Sequence, residues 1–191
     1  MKRLVFLRHG KTEGTERRLY YGATDLPLLD TGVRELREAA ARGVYPKPDG
    51  FSFVTTGMLR TNQTLRAIYG DVPFSVIEAL REVNFGIFEM KSYESLKNEP
   101  AYQAWLSNDW FSNTPPGGES FKDAEARLLR GLASLLSREE DTVCVCHGGT
   151  ILTAMAKLFP EENKDGYAWQ PKPGFGYAVD LENHVYFPIF G

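Results

Sequence analysis

The chain has 191 residues, with 22 Lys and Arg against 25 Asp and Glu for a net charge of -3, and 42% of its residues are hydrophobic. That length and apolar content suit one domain, residues 1–191, and a nearly balanced charge without a basic run excludes a surface that tracks a nucleic-acid backbone. The apolar stretch Leu4 to Leu7 behind Met1-Lys2-Arg3 is too short for a secretion signal and no longer run could span a membrane, so a cytoplasmic protein with no membrane partner is expected.

Leu4 to Leu7 reads as a strand buried on both faces, followed at once by a Gly-rich polar turn. Thr31 to Arg42 has helical spacing (Val33, Leu36, Ala40), with Asp30 or Thr31 as its cap and Gly43 as its stop. Phe51 to Val54 is a second strand, Leu59 to Tyr69 a helix stopped by Gly70, and Pro73 to Ile77 a third strand. The pattern changes between residues 78 and 118. There Ser92 to Asn108 looks helical with an interruption at Pro100, and the segment reads as an inserted cap.

Phe121 to Leu136 is an amphipathic helix with Ala124, Leu128, Leu132 and Leu135 on one stripe. Thr142 to Cys146 is the strand after it, and Gly149 to Leu158 a further helix. Gly176 to Leu181 and Val185 to Ile189 form a hairpin around Glu182-Asn183-His184. The implied fold is an α/β three-layer sandwich: a mostly parallel sheet, helices on both faces, an antiparallel edge hairpin and a small helical cap insertion. Cys144 and Cys146 alternate with Val143 and Val145, so both should face one side of their strand as small core residues; with only three histidines in the chain, no metal site is expected.

Two strands end in the same chemical statement, Leu7-Arg8-His9-Gly10 after the first and Cys146-His147-Gly148-Gly149 after the penultimate core strand. In an open parallel sheet, ligands bind beyond the carboxyl ends of the strands. Together with Arg60, at the start of the helix after the second strand, the two histidines describe a cationic pocket.

At this point the sequence resembles the histidine phosphatase superfamily, which includes cofactor-dependent phosphoglycerate mutases and alpha-ribazole phosphatases. The resemblance is carried by Leu7-Arg8-His9-Gly10-Lys11-Thr12, by Gly22, Asp25, Pro27, Leu28 and Gly32, and by Thr56-Gly57-Met58-Leu59-Arg60 with Gln63-Thr64. It continues through Glu82 with Phe85-Gly86 and Glu89, through Pro116-Gly117-Gly118-Glu119-Ser120, and through His147-Gly148-Gly149. The order of the matches along nearly the whole chain makes them far more specific than any one.

The resemblance implies that His9 attacks phosphorus to form a phosphohistidine. Physical chemistry supplies the reasons. An anionic ester needs nearby cations, and Arg8 and Arg60 offer forked donors. Positive neighbours hold the His9 imidazole unprotonated, leaving it free to attack. His147 and the backbone amides of Gly10 and Gly148 are expected to donate to the phosphoryl oxygens, and Thr15, Tyr21 and Gly22 to contact substrate. Glu82 is the candidate acid for the leaving alkoxide and base for the incoming water. No metal and no cofactor is called for.

Three positions depart from the family pattern. Thr15 stands where an asparagine is usual, which predicts a weaker or rearranged phosphate contact. Leu29 replaces the usual Thr or Ser, moving the helix cap to Asp30 or Thr31. Met90 occupies a common glycine position, and Phe88-Glu89-Met90 resembles alpha-ribazole phosphatases. His184 reads as a solvated surface group, Lys11, Arg17 and Arg18 as solvated charges, and Trp105, Trp110 and Phe111 as packing more than substrate mouth.

The expected activity is hydrolysis of a small phosphate monoester, with alpha-ribazole 5'-phosphate among the candidates. A phosphoglycerate-type mutase shares the first half-reaction, and a non-catalytic phosphate-binding module is the alternative of another class. Only 37 positions separate Glu82 from Glu119, whereas the resemblance implies a longer insertion in mutases; a short cap leaves the intermediate open to water. Nothing in the sequence assigns an oligomeric state.

Overall fold

The computed structural model describes residues 2–164 and 166–190. Its centre is β1 (Arg3–Arg8), where Leu4 to Leu7 are all buried, flanked by parallel β6 (Asp141–Cys146) and antiparallel β7 (Gly176–Asp180). With β3 (Phe51–Thr55), β4 (Ser75–Val76) and β8 (Val185–Ile189) the sheet has the order β4-β3-β6-β1-β7-β8. Strands β1, β6, β3 and β4 run parallel, and β7 and β8 form the antiparallel edge hairpin.

Helices cover both faces, as the unbroken apolar strands require. On one face α2 (Asp30–Ala41) and α3 (Leu59–Tyr69) bring Leu36, Ala39 and Leu65 against Val5, Leu7, Val143 and Val145. On the other, α6 (Phe121–Leu136) and α7 (Gly148–Leu158) bring Leu132, Leu135, Ile151 and Met155 against Leu4, Phe6, Cys144 and Cys146. The two cysteines are buried free thiols on the same side of β6, as the alternation predicts, and burial pushes the Cys146 thiol up. Among the described residues, no helix is long and apolar enough to cross a membrane.

Several boundaries differ from the sequence reading. The N-cap of α2 is Leu29, with no side-chain cap, and Asp30 instead lies in the first helical turn, where its charge complements the helix dipole. The expected strand Pro73 to Ile77 pairs only at Ser75–Val76; it is an edge strand, and Pro73 has no N–H to give a ladder. The helical reading of Ser92 to Asn108 resolves into α4 (Tyr93–Leu96), capped by the Ser92 side chain, and α5 (Pro100–Leu106), with Pro100 in the first turn. Proline is favoured there because its missing N–H would have had no helical partner.

Two features were not expected: a one-turn helix α1 (Glu13–Glu16), and a ribbon of β2 (Leu19–Tyr20) with β5 (Lys91–Ser92). The ribbon fastens the cap to the loop after β1. The cap has its own small core of Phe88, Leu96, Tyr102 and Trp105, against which Tyr20, Phe85 and Phe121 pack.

Candidate active site

Register puts the site together. Arg8 pairs with Cys146 and Thr55 with Val145, so β1, β6 and β3 end side by side and the chain leaves them at His9, His147 and Thr56. The His9 N–H still donates to the Cys146 carbonyl at 3.0 Å, extending the ladder by one bond before the strands part.

His9 is buried, and its Nδ1 lies 2.8 Å from the Gly10 carbonyl oxygen. A carbonyl only accepts, so Nδ1 carries the proton and Nε2 presents its lone pair. Burial first, then the Arg60 guanidinium, hold the His9 pKa well below the ordinary histidine value, against the opposing pull of the Gly10 carbonyl. The imidazole is therefore neutral. A chain of hydrogen bonds runs toward it: Thr15 N–H donates to Thr12 Oγ1, which donates to the Tyr21 hydroxyl at 2.9 Å, which stands 3.4 Å from His9 Nε2. Burial raises the Tyr21 pKa, so the phenol keeps the proton it turns toward Nε2.

The two arginines occupy different positions. Arg8 lines the cavity, with one terminal nitrogen donating to the Pro171 carbonyl at 2.8 Å and its Nε buried without a partner. Arg60 lies beneath, fully buried, donating to Gly22 O at 2.8 Å, to Thr24 O at 2.9 Å, and from Nε to His147 Nδ1 at 3.3 Å. Its guanidinium also sits 5.1 Å from the Tyr21 ring centroid. Because Arg60 only donates, His147 carries its proton on Nε2, which lies 2.9 Å from Thr56 Oγ1. Burial, then Arg60 and His9, hold His147 well below the ordinary histidine pKa, and the two rings meet edge to face at 5.4 Å. Both histidines are thus neutral, and the arginines alone supply the positive charge.

Glu82 faces the same cavity, its carboxylate accepting from Gly149 N–H at 3.0 Å and Val83 N–H at 3.1 Å. A Cβ on residue 149 would stand 2.4 Å from Glu82 Oε1, so glycine there admits the carboxylate to the start of α7. The cavity, about 590 Å³, has Arg8, His9, Tyr21, Glu82, Glu125, Thr153 and Gln170 among its polar lining and Tyr20, Phe85, Trp110, Phe111 and Phe121 as an aromatic wall. Trp105, 3% exposed, is cap core, whereas Trp110, 53% exposed, and Phe111 do reach the cavity.

The remaining expected contacts fall elsewhere. Thr15 is engaged locally, its hydroxyl donating to Thr12 O at 2.8 Å and accepting from Thr12 N–H, which closes the cap of α1; its proton is not turned to the cavity. The Gly10 N–H, assigned to a phosphate cradle by the sequence, is donated to Thr64 Oγ1 at 2.9 Å. Gly22 gives its carbonyl to Arg60, and a Cβ there would lie 1.7 Å from Val83 O, so it is a point of close chain approach. Gly148 opens α7 beside Gln170. Thr12, Thr56, Gln170 and Glu89 were not assigned roles from the sequence. His184 is exposed but paired with Glu161 at 2.8 Å. Among the described residues no three His, Cys, Asp or Glu side chains form a metal-holding group.

A three-layer α/β sheet, with a neutral histidine at one strand end, one arginine on the cavity wall and another buried beneath it, and a carboxylate facing the same cavity, defines an enzyme that handles phosphate esters. Residues 4–183 match the sequence profile of the histidine phosphatase superfamily (branch 1), and the chain belongs to that superfamily. It is similar to the adenosylcobalamin/alpha-ribazole phosphatase of Escherichia coli, 28% identical over 94% of this chain and 90% of that one. It is also similar to the 2,3-bisphosphoglycerate-dependent phosphoglycerate mutase of Rhizobium etli, 32% identical over 79% and 77% of the respective chains. Among solved structures, a putative alpha-ribazole-5'-P phosphatase from Escherichia coli superposes with a TM-score of 0.85 at 25% identity, covering 98% of this chain and 94% of that one. The alpha-ribazole phosphatase of Shigella flexneri gives 0.83 at 26% identity, covering 97% and 94%. The chain is a phosphatase of this superfamily.

Proposed function

We propose that the protein hydrolyses a small phosphate monoester of the alpha-ribazole 5'-phosphate kind through a phosphohistidine on His9. The carrying observation is the His9 tautomer: the Gly10 carbonyl takes the Nδ1 proton, leaving the Nε2 lone pair to attack. In the first step the Nε2–P bond forms as the ester P–O bond breaks, Arg8 and Arg60 offset the charge on the phosphoryl oxygens, and Glu82 gives its proton to the leaving oxygen. In the second, Glu82 takes a proton from water, the water oxygen bonds to phosphorus, and inorganic phosphate leaves His9. Arg8 supports this reading because its Nε is buried beside the cavity with no protein partner, a donor suited to a phosphate oxygen. His147 acts from beneath, since both its ring nitrogens are engaged with Arg60 and Thr56.

The aromatic wall suits an ester whose alcohol carries a flat ring. The test is a panel of phosphate esters assayed for phosphate release without added metal, together with mass spectrometry for an acid-labile phosphate on His9. Glu82→Gln should trap or slow the phosphoenzyme; wild-type turnover in that variant would remove Glu82 from the mechanism. The mutase relatives favour a second reading, in which the phosphoryl group returns to an organic hydroxyl. Fast isomerisation of 3-phosphoglycerate primed with bisphosphoglycerate, in place of phosphate release, would establish it.

A further inference from the structure

The loop Gly22 to Thr24 turns three consecutive backbone N–H groups onto one carboxylate, that of Glu89. Gly22 N–H donates to Oε1 at 2.9 Å, Ala23 N–H to Oε1 at 3.1 Å and Thr24 N–H to Oε2 at 3.0 Å. The Thr24 hydroxyl adds a bond of 2.6 Å and Phe85 N–H one of 3.0 Å. A concave row of amides is an anion site, and here the chain fills it with its own side chain.

The other side of that loop faces Arg60. The peptide whose N–H (Ala23) points to Glu89 presents its carbonyl (Gly22) to Arg60, and Thr24 O takes the second terminal nitrogen. Arg60 is fully buried, and the one carboxylate at ion-pair distance among the described residues, Asp25, stands 3.9 Å away and is half exposed. Its place is set by two carbonyls, of which that of Gly22 shares its peptide with an amide held by Glu89 and that of Thr24 follows an amide held by the same carboxylate. The remaining guanidinium nitrogen, Nε, then meets His147 Nδ1.

We propose that Glu89 is a positioning residue for phosphoryl transfer, acting through the Gly22 to Thr24 loop on Arg60 and through Arg60 on the tautomer of His147. The inference rests on the phosphohistidine reading of His9. Without the carboxylate, the loop amides lose their common acceptor, the carbonyls are free to turn, and the guanidinium is released from its place under the two imidazoles. The charge that offsets the phosphoryl group is then displaced, while His9, held by Gly10 O, keeps its own tautomer.

The test is a double-mutant cycle with a nitrogen-15 NMR readout of the histidine rings. E89Q should lower kcat/KM for phosphate-ester hydrolysis about tenfold, as expected for a displaced charge, yet cost nothing further in an R60Q background. E89D, which keeps the charge on a shorter arm, should recover part of the loss. In the spectra, wild-type His147 should be protonated at Nε2 and E89Q should show mixed tautomers there, with His9 unchanged. Equal losses in both backgrounds with His147 unaltered would overturn the proposal and leave Glu89 a loop fastener. A wild-type protein that releases no phosphate would refute the functional reading instead, and the His147 spectra would still decide the positioning claim. If E89Q does not fold, E89D is read on the same two measurements.

Discussion

Met90 follows Glu89 with φ at 61°, a left-handed conformation that costs a side-chain-bearing residue about 1–2 kcal/mol. Its N–H donates to Tyr20 O at 2.7 Å, so the strained residue is also a joint between the cap and the β2 loop. Met90→Gly should relieve the strain at some entropic cost, raising unfolding free energy by about 0.5–1 kcal/mol in urea titration. Tyr21→Phe probes the opposite kind of residue, one whose hydroxyl serves the site. Thr12 Oγ1 would lose its acceptor and His9 Nε2 the hydroxyl that faces it, so about 1 kcal/mol of stability and a several-fold weaker inhibition by inorganic phosphate are expected. Unchanged phosphate inhibition would place Tyr21 outside the binding machinery. The strand-end places of Arg8, His9 and His147 were legible in the sequence because each ends or follows a strand within a motif, whereas Glu82, six residues beyond β4, was assigned through the family resemblance. The distinct depth of Arg60 was less visible, although it shares the buried face of α3 with Thr61, Thr64 and Leu65. Glu89 carried no signal beyond its motif position, since its partners in the Gly22 to Thr24 loop lie 65 to 67 residues away.

At the scale of elements, long periodic segments were read well: α3 and α6 have the expected ends, and β8 spans the expected residues. The cap was read only in outline, as helical with an interruption at Pro100, because its helices have four and seven residues, too short for periodicity to set their ends, and its ribbon has two residues per strand. Such pieces are stable only through packing, which here converges on Trp105, stacked on Phe121 at 5.5 Å and 19° and touching Phe88 and Tyr102. Trp105→Ala should cost about 3–5 kcal/mol of local packing. Because the cap core is separate from the two cores flanking the sheet, the loss should appear as faster amide exchange in Pro100–Leu106 with β6 unaffected, and as a higher KM through the wall that Phe121 shares with the cavity. Equal acceleration in cap and sheet would show the cap to be continuous with the main core.

For the whole molecule, the two neutral histidines couple catalysis to acid stability. Both His9 and His147 are buried with pKa values held well below the ordinary histidine value of about 6.5, so as pH falls the unfolded chain takes up protons that the folded chain refuses. Unfolding free energy therefore falls as pH drops through 6.5, and continues to fall until the lowered folded pKa values are reached; above 6.5 the two groups contribute their full stability. From pH 6.5 to 5.5 the loss should be about 1 kcal/mol per histidine, or about 2 kcal/mol together. That window lies above the carboxylate range in which Asp141, its pKa lowered by bonds from Arg3 against the opposing effect of burial, would lose its own contribution. Urea titrations at pH 7.5, 6.5 and 5.5 measure the slope, and His9→Asn should halve it. The same neutrality predicts that phosphohistidine formation per folded molecule shows no fall centred on pH 6.5, because the nucleophile is already a free base below that pH. A rate that declines there while stability stays flat would mean that His9 takes up its proton in the folded state, and that the Arg60 charge and the burial around it do not hold the imidazole neutral.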